Sequence, residues 1–307
     1  MVYHIGEQGS AGKAAAMHAM AIALSMDAVV AERVREGALL GEVHSVFRRV
    51  LNVVTQQDQL VAFGASTVDD APWTIRVEVD DWCRHQVQAG APAVVTAHGA
   101  TFGAASVKFR NPYIWYAKEI PLILDRAELA ARARLLDELL TEHGVPGGML
   151  EGGKPDPFQA AVGIRLRQGQ TALTQALRRN DTEAARKAAE GLVGLGPGLT
   201  PAGDDFLSGL ALVAAQPGSR TTSFPRLGEK VLARTTLLSA TTLREARTGR
   251  ARESLLDLLR RLLEPGGGTG LAGAVARVAA IGHTSGTDLL SGVAAGLRLE
   301  SEMRGSV

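Results

Sequence analysis

Asp205 and Asp288 stand at matching places in two copies of one short pattern, and carboxylates so placed can accept a proton, hold a divalent cation or cap a helix. Gly203-Asp204-Asp205-Phe206-Leu207-Ser208-Gly209-Leu210 and Gly286-Thr287-Asp288-Leu289-Leu290-Ser291-Gly292-Val293 agree at five of eight positions. Two of the three mismatches exchange one apolar residue for another. Each copy runs from a glycine-rich loop into a helix start, where unsatisfied N–H groups and the positive end of the helix dipole collect. If the copies pack about a pseudo-twofold axis, Asp205 and Asp288 approach each other and the two ends make one pocket.

The first loop, Gly194 to Gly203, holds four glycines where a helix cap needs one. Gly196, Gly198 and Gly203 can turn successive N–H groups toward an anion, Thr200 adds a hydroxyl, and Pro201 begins a helical turn without wasting a donor. In the second loop His283 stands beside Thr284, Ser285 and Gly286, an imidazole and two hydroxyls able to orient or protonate a substrate oxygen. The chemical reading makes Asp205, Asp288 and His283 catalytic. It assigns an anion such as phosphate to Gly196, Gly198, Thr200, Gly203, Thr284, Ser285 and Gly286, and an optional Mg²⁺ to Asp204, Asp205 and Asp288. Structural readings stand beside it. Carboxylates at a helix N-terminus stabilise by roughly 0.3–1 kcal/mol each, Ser285 with Asp288 fits a capping box, and His283 can simply close a turn. Gly209 and Gly292 suit tight helix crossings. No Gly-Lys-Ser/Thr follows the loop, and Gly12-Lys13 lacks the rest of that phosphate-binding motif.

Between the copies, Arg244, Arg247, Arg250 and Arg252 crowd into nine residues. Arginines bind carboxylate or phosphate through paired hydrogen bonds; a solvated face partnered by Glu245 and Glu253 is the plainer reading.

The elements that must position these groups change character along the chain. Short branched segments at 53–54, 60–63, 73–79, 93–96 and 104–109, separated by Gly, Pro, Asn and Asp, predict an antiparallel β sheet or small barrel. From residue 124 the period becomes helical, with helices expected over 125–140, 157–179, 181–193, 204–215, 224–247, 251–263, 270–280 and 287–303, and Asp181 as a cap. The chain therefore reads as α+β, with a β-rich domain over 1–125 and an α-helical domain over 126–307. Ala14 to Leu24 reads as a short soluble helix rather than a signal peptide, because His18 interrupts it and charges follow.

The 307 residues carry 33 Lys+Arg against 32 Asp+Glu, so no bulk field points to nucleic acid or an anionic membrane, and small partners are expected. No apolar run reaches the roughly 18 residues of a membrane span. The one cysteine, Cys83, excludes an internal disulfide and fits a reducing, cytoplasmic setting, where it is expected to be buried.

Three strings carry a family resemblance: Gly-Pro-Gly-Leu-Thr-Pro-Ala-Gly-Asp-Asp-Phe-Leu-Ser-Gly from Gly196, Ser-x-Thr-Thr-Leu-x-x-Ala-x-x-Gly from Ser239, and Gly-His-Thr-Ser-Gly-Thr-Asp from Gly282. With His44-Ser45-Val46-Phe47 and Asn52 nearer the N-terminus, they resemble the AllH family over roughly residues 40–300. The resemblance implies a subunit of oxamate carbamoyltransferase, which interconverts oxalurate plus phosphate with oxamate plus carbamoyl phosphate. It implies a small anionic substrate and other subunits as partners. The Ser-Thr-Arg-Thr phosphate loop of ordinary carbamoyltransferases is missing, so a different catalytic design or a non-catalytic structural role stays open. So does a Mg²⁺-dependent helical hydrolase of ADP-ribose bonds.

Overall fold

The computed structural model describes residues 21–153, 156–265 and 269–305. The β-rich part comprises β1 (Ala21–Asp27), α1 (Ala28–Glu36), β2 (Leu39–Val46), β3 (Val50–Thr55), β4 (Leu60–Gly64), β5 (Thr74–Val77), a 3₁₀ turn (Trp82–His85), β6 (Pro92–Thr96), β7 (Gly99–Phe102), β8 (Ala105–Lys108) and β9 (Tyr113–Trp115). The sheet runs β5-β4-β3-β2-β6-β7-β8-β1-β9, and an added β1–β5 pairing closes it into a barrel. The expected small barrel is therefore present, but mixed rather than purely antiparallel. β1 runs parallel to β8 and β9, and β4 parallel to β5. Parallel neighbours arise because β1 and β5 are joined to their partners by crossovers instead of hairpins.

Alternation fills the barrel. Leu51 and Val53 of β3 point inward with Phe63, Ile75 and Phe102, all at most 1% exposed. Phe63 meets Phe102 edge to face at 4.7 Å between ring centroids, and Trp82 joins them at 6.0 Å from Phe102. The N-terminal helix expected over 14–24 is corrected in its described portion: Ala21–Asp27 is a strand, and the helix follows it at α1. The alternating burial of Ala21, Ala23 and Ser25 beneath β5 wins over the local alanine preference for helix. Residues 14–20 and Gly12-Lys13 lie outside the described residues, as do Gly266–Gly268. Cys83 is exposed, not buried, because it lies on the 3₁₀ turn whose inward residue is Trp82.

The helices are α2 (Arg126–His143), α3 (Pro157–Arg178), α4 (Thr182–Leu192), α5 (Ala202–Ala214), α6 (Glu229–Leu232), α7 (Leu237–Ala246), α8 (Glu253–Leu263), α9 (Leu271–Ala279) and α10 (Ser285–Met303). Their starts are written in the sequence. Asp125 and Asp156 form full capping boxes with Glu128 and Gln159, and Asp181 accepts the Ala184 N–H. The single helix expected over 224–247 is split into α6 and α7, with Thr236 capping the second by accepting the Ser239 N–H. A separate apolar core, from Trp115 to Leu299, fills this half.

Arginines join the two halves. Arg250 pairs with Asp27 at 2.7 Å and with Glu245 at 3.0 Å, while Glu245 also accepts the Trp73 indole N–H at 2.9 Å. Arg252 pairs with Asp69. Burial alone would raise Asp69, but the Arg252 guanidinium and the Ser254 N–H outweigh it and bring its pKa to about 2. Arg250 and Arg252 thus form a seam between barrel and helices, while Arg244 stays on the helical half, paired with Glu229.

Candidate functional site

The two copies of the repeat are two helix–loop–helix units, α4–loop–α5 and α9–loop–α10, and they cross reciprocally. A Cβ at Gly209 would collide with the Leu289 carbonyl oxygen, and one at Gly292 would collide with that of Phe206. Residues 206 and 209 are the repeat equivalents of 289 and 292, so each copy makes the same contact on the other. That reciprocity is the pseudo-twofold relation. Side-chain details repeat as well: Ser208 donates to the Asp204 carbonyl at 2.8 Å, and Ser291 to that of Thr287 at 2.9 Å.

Within each unit the glycine at the helix start serves packing. A Cβ at Gly203 would strike the Leu192 carbonyl, and one at Gly286 the Val278 carbonyl. Their N–H groups are spent in the loops, Gly203 on Leu195 O at 2.9 Å and Gly286 on Ile281 O at 3.0 Å. Neither N–H is therefore free for the anion nest expected of it. Gly196 and Gly198 differ. With φ of +126° and +95° they hold a loop in which, among the described residues, the N–H groups of Gly196, Gly198, Leu199 and Thr200 reach no protein acceptor. The loop is pinned at Leu199, whose carbonyl accepts the Thr236 hydroxyl at 2.7 Å.

Asp205 and Asp288 lie within the crossing, 5% and 0% exposed. Asp288 Oδ1 accepts the Met149 N–H at 2.7 Å, and Thr284 also bonds the carboxyl. Asp205 is bonded by Ser285 and Thr200, whose hydroxyls meet each other at 2.6 Å. One oxygen of each carboxyl, Oδ2, is buried without a partner. Burial is the main reason that both hold protons tightly: Asp205 is pushed up to about 8, with the nearby Asp288 charge adding to it, and Asp288 to about 7. The expected convergence of the two aspartates is thus present, and the pair titrates near neutrality.

Asp204 does not join them. Its oxygens accept the Gly194 N–H at 2.9 Å and the Thr235 hydroxyl, which ties the glycine loop to the start of α7. Among the described residues no three His, Cys, Asp or Glu side chains gather as a metal ligand set, so Asp204, Asp205 and Asp288 do not form the three-carboxylate site considered from sequence. His283 is exposed on its loop, outside the pair. The expected Ser285–Asp288 capping box is also absent: Thr284 holds the N-cap position and makes no side-chain cap bond, and Ser285 turns to Thr200 instead.

Sequence reasoning missed the third wall. Gly147 and Gly148, at φ of +121° and +53°, bring the segment after α2 onto α10. A Cβ at Gly148 would collide with the Asp288 carboxyl, and the Val145 N–H donates to the Thr287 hydroxyl at 2.9 Å. The Pro146-Gly147-Gly148 cluster signalled a turn, but nothing in its spacing named Asp288 as its target. An open depression of about 410 Å³ on α3, lined by Ile164, Arg167, Gln168 and Thr171, shares no residue with this site. The shifted groups and the unpartnered oxygens of the repeat are at the aspartates instead.

No solved structure matches the chain. Two family models do. Residues 192–297 match the oxamate carbamoyltransferase subunit AllH, and residues 22–113 match the AllH family N-terminal domain. The first spans both glycine loops and both aspartates, and the second spans the barrel to β9. The chain belongs to the AllH family, as a carbamoyltransferase subunit. Among the described residues no helix is long and apolar enough to cross a membrane.

Proposed function

We propose that this chain carries a substrate-binding and proton-transfer site of an oxamate carbamoyltransferase, interconverting oxalurate plus phosphate with oxamate plus carbamoyl phosphate. The observation that carries the reading is the Asp205–Asp288 pair, buried, with two unpartnered oxygens and proton affinities near neutrality. Groups that titrate at the working pH are suited to general acid–base work. When the amide nitrogen of oxamate attacks the carbamoyl carbon of carbamoyl phosphate, the C–N bond forms, the C–OP bond breaks, and the nitrogen sheds a proton. A carboxylate of the pair takes that proton. In the reverse direction phosphate attacks the carbamoyl carbon of oxalurate, and the pair returns a proton to the departing nitrogen.

Charge divides the site. Phosphate oxygens are repelled by ionised carboxylates, whereas the unspent N–H groups of Gly196, Gly198, Leu199 and Thr200 are donors. The anion belongs on that outer rim, and the nitrogen end belongs at the aspartates. The other subunits implied by the family description complete the assembly.

The test is Asp205→Asn and Asp288→Asn in the reconstituted assembly, with folding checked by circular dichroism. Loss of turnover by about 100-fold or more with assembly intact is expected for a general base. Full activity of both variants would leave the chain a structural subunit.

A further inference from the structure

A second constellation sits on the barrel, away from the repeat. β2 and β3 pair as a hairpin, but the register slips by one between Val43 and Ser45: Val43 faces Val53, and Ser45 faces Asn52. His44 is the extra residue of a β-bulge. Val43 and Val46 both pack on the barrel core, so the bulge turns His44 and Ser45 together onto the outer face, where regular alternation would have separated them. Bulges re-aim side chains in this way, and they recur beside functional sites.

The three side chains form a hydrogen-bonded row. The Asn52 Nδ2 amide donates to Ser45 Oγ at 3.0 Å, and Ser45 Oγ lies 3.1 Å from His44 Nδ1. Ser45 Oγ accepts from Asn52, and its O–H is available to donate to His44 Nδ1. That arrangement places the imidazole proton on Nε2, directed away from Ser45. Asn52 is 4% exposed, yet its Oδ1 has no partner. Buried side-chain acceptors are nearly always satisfied, and an unsatisfied one needs an explanation such as a ligand. Fold stability alone does not call for this row: an apolar residue at 52 would bury as well and leave no orphan oxygen.

We infer that His44, Ser45 and Asn52 form a second ligand site, one that takes a primary carboxamide or ureido group. The row offers one outward donor, His44 Nε2–H, and one unsatisfied acceptor, Asn52 Oδ1. A planar amide offers the complement, a carbonyl oxygen beside an N–H, whereas a carboxylate offers two acceptors and leaves Asn52 unsatisfied. The site stands on the barrel's own geometry and does not depend on the aspartate reading. Helix α7 packs on β4, the strand next to β3, and its N-cap Thr236 holds the glycine loop at Leu199, so the barrel and the repeat are linked through one short helix.

The test is an NMR titration of the full-length chain labelled with ¹⁵N, with oxamate as the amide probe and oxalate as the control that lacks an N–H. His44 is expected in the Nε2–H tautomer, and its ring signals and the Asn52 side-chain amide signals should move saturably with oxamate and not with oxalate. Ser45→Ala, which removes only a half-buried hydroxyl, should weaken that binding by about fivefold or more. Asp205→Asn should leave the His44 response unchanged, so failure here is distinguishable from failure of the transferase reading. Signals at His44 and Asn52 that stay still up to tens of millimolar oxamate, or that respond equally to oxalate, would overturn the inference.

Discussion

Replacing Asp205 by asparagine should make the protein more stable while it removes a proton acceptor, and the pH dependence of the gain is calculable. Burial raises the Asp205 pKa from 3.8 to about 8. The folded state therefore holds a proton that the unfolded chain releases, and the wild type loses stability as pH rises from about 4 toward about 8, after which the loss levels off. A tenfold difference in proton affinity between the two states is worth about 1.4 kcal/mol, which sets an upper bound of about 4 kcal/mol at pH 7. Asp205 shares its surroundings with Asp288, so only part of this is recovered; a gain of about 1–3 kcal/mol is expected. Urea unfolding of wild type and Asp205→Asn across this range is the assay. The two should coincide near pH 4 and diverge steadily to pH 8. Parallel curves would refute the claim that a tightly held, buried proton resides here.

Three further outcomes follow from the same geometry. Gly292→Ala places a methyl group against the Phe206 carbonyl, and because the obstacle is backbone it should cost about 1–3 kcal/mol or more, read as a lowered unfolding midpoint. Arg250→Ala leaves Asp27, 1% exposed, without its cation; a loss of about 3 kcal/mol and earlier proteolysis at the seam between barrel and helices are expected. Ser285→Ala removes a hydrogen bond that lowers the Asp205 pKa; if the carboxylate is the base, the rising limb of the pH–rate profile should move to higher pH, and an unmoved limb would separate Ser285 from the chemistry.

Much of this architecture is legible in the order of residue types alone. The shift from branched segments to leucine-rich helical periods near residue 124 marks the two halves, and Asp125, Asp156 and Asp181 announce helix starts through local chemistry. The repeat names the two aspartates because identical spacing implies identical surroundings. What stays hidden depends on partners distant in sequence. β1 is alanine-rich and becomes a strand only because β5 and β9 pair with it. Asp204 and Asp205 are neighbours of one type, yet a helix turns them about 100° apart, one toward Thr235 and the other toward Ser285. The bulge at His44 leaves no trace in residue type, and Gly148 can be read as a turn but not as the surface against which Asp288 is buried.

The duplication supplies a frame whose symmetry the site then abandons. Both copies keep the glycines that let the helices cross and the serines that bond back one turn, which are demands of packing and apply equally to each. They part where a ligand would sit. Seven residues lie between Leu195 and Gly203 in the first loop, against four between Ile281 and Gly286 in the second, and the longer loop is the one that Gly196 and Gly198 carry at positive φ. Position 204 is a carboxylate that anchors that longer loop, while its counterpart Thr287 holds the segment after α2. Thr200 of one copy then meets Ser285 of the other above Asp205. The proposed site belongs to neither copy alone: the loop we assign to the anion and the aspartates we assign to proton transfer meet only where the two units have diverged.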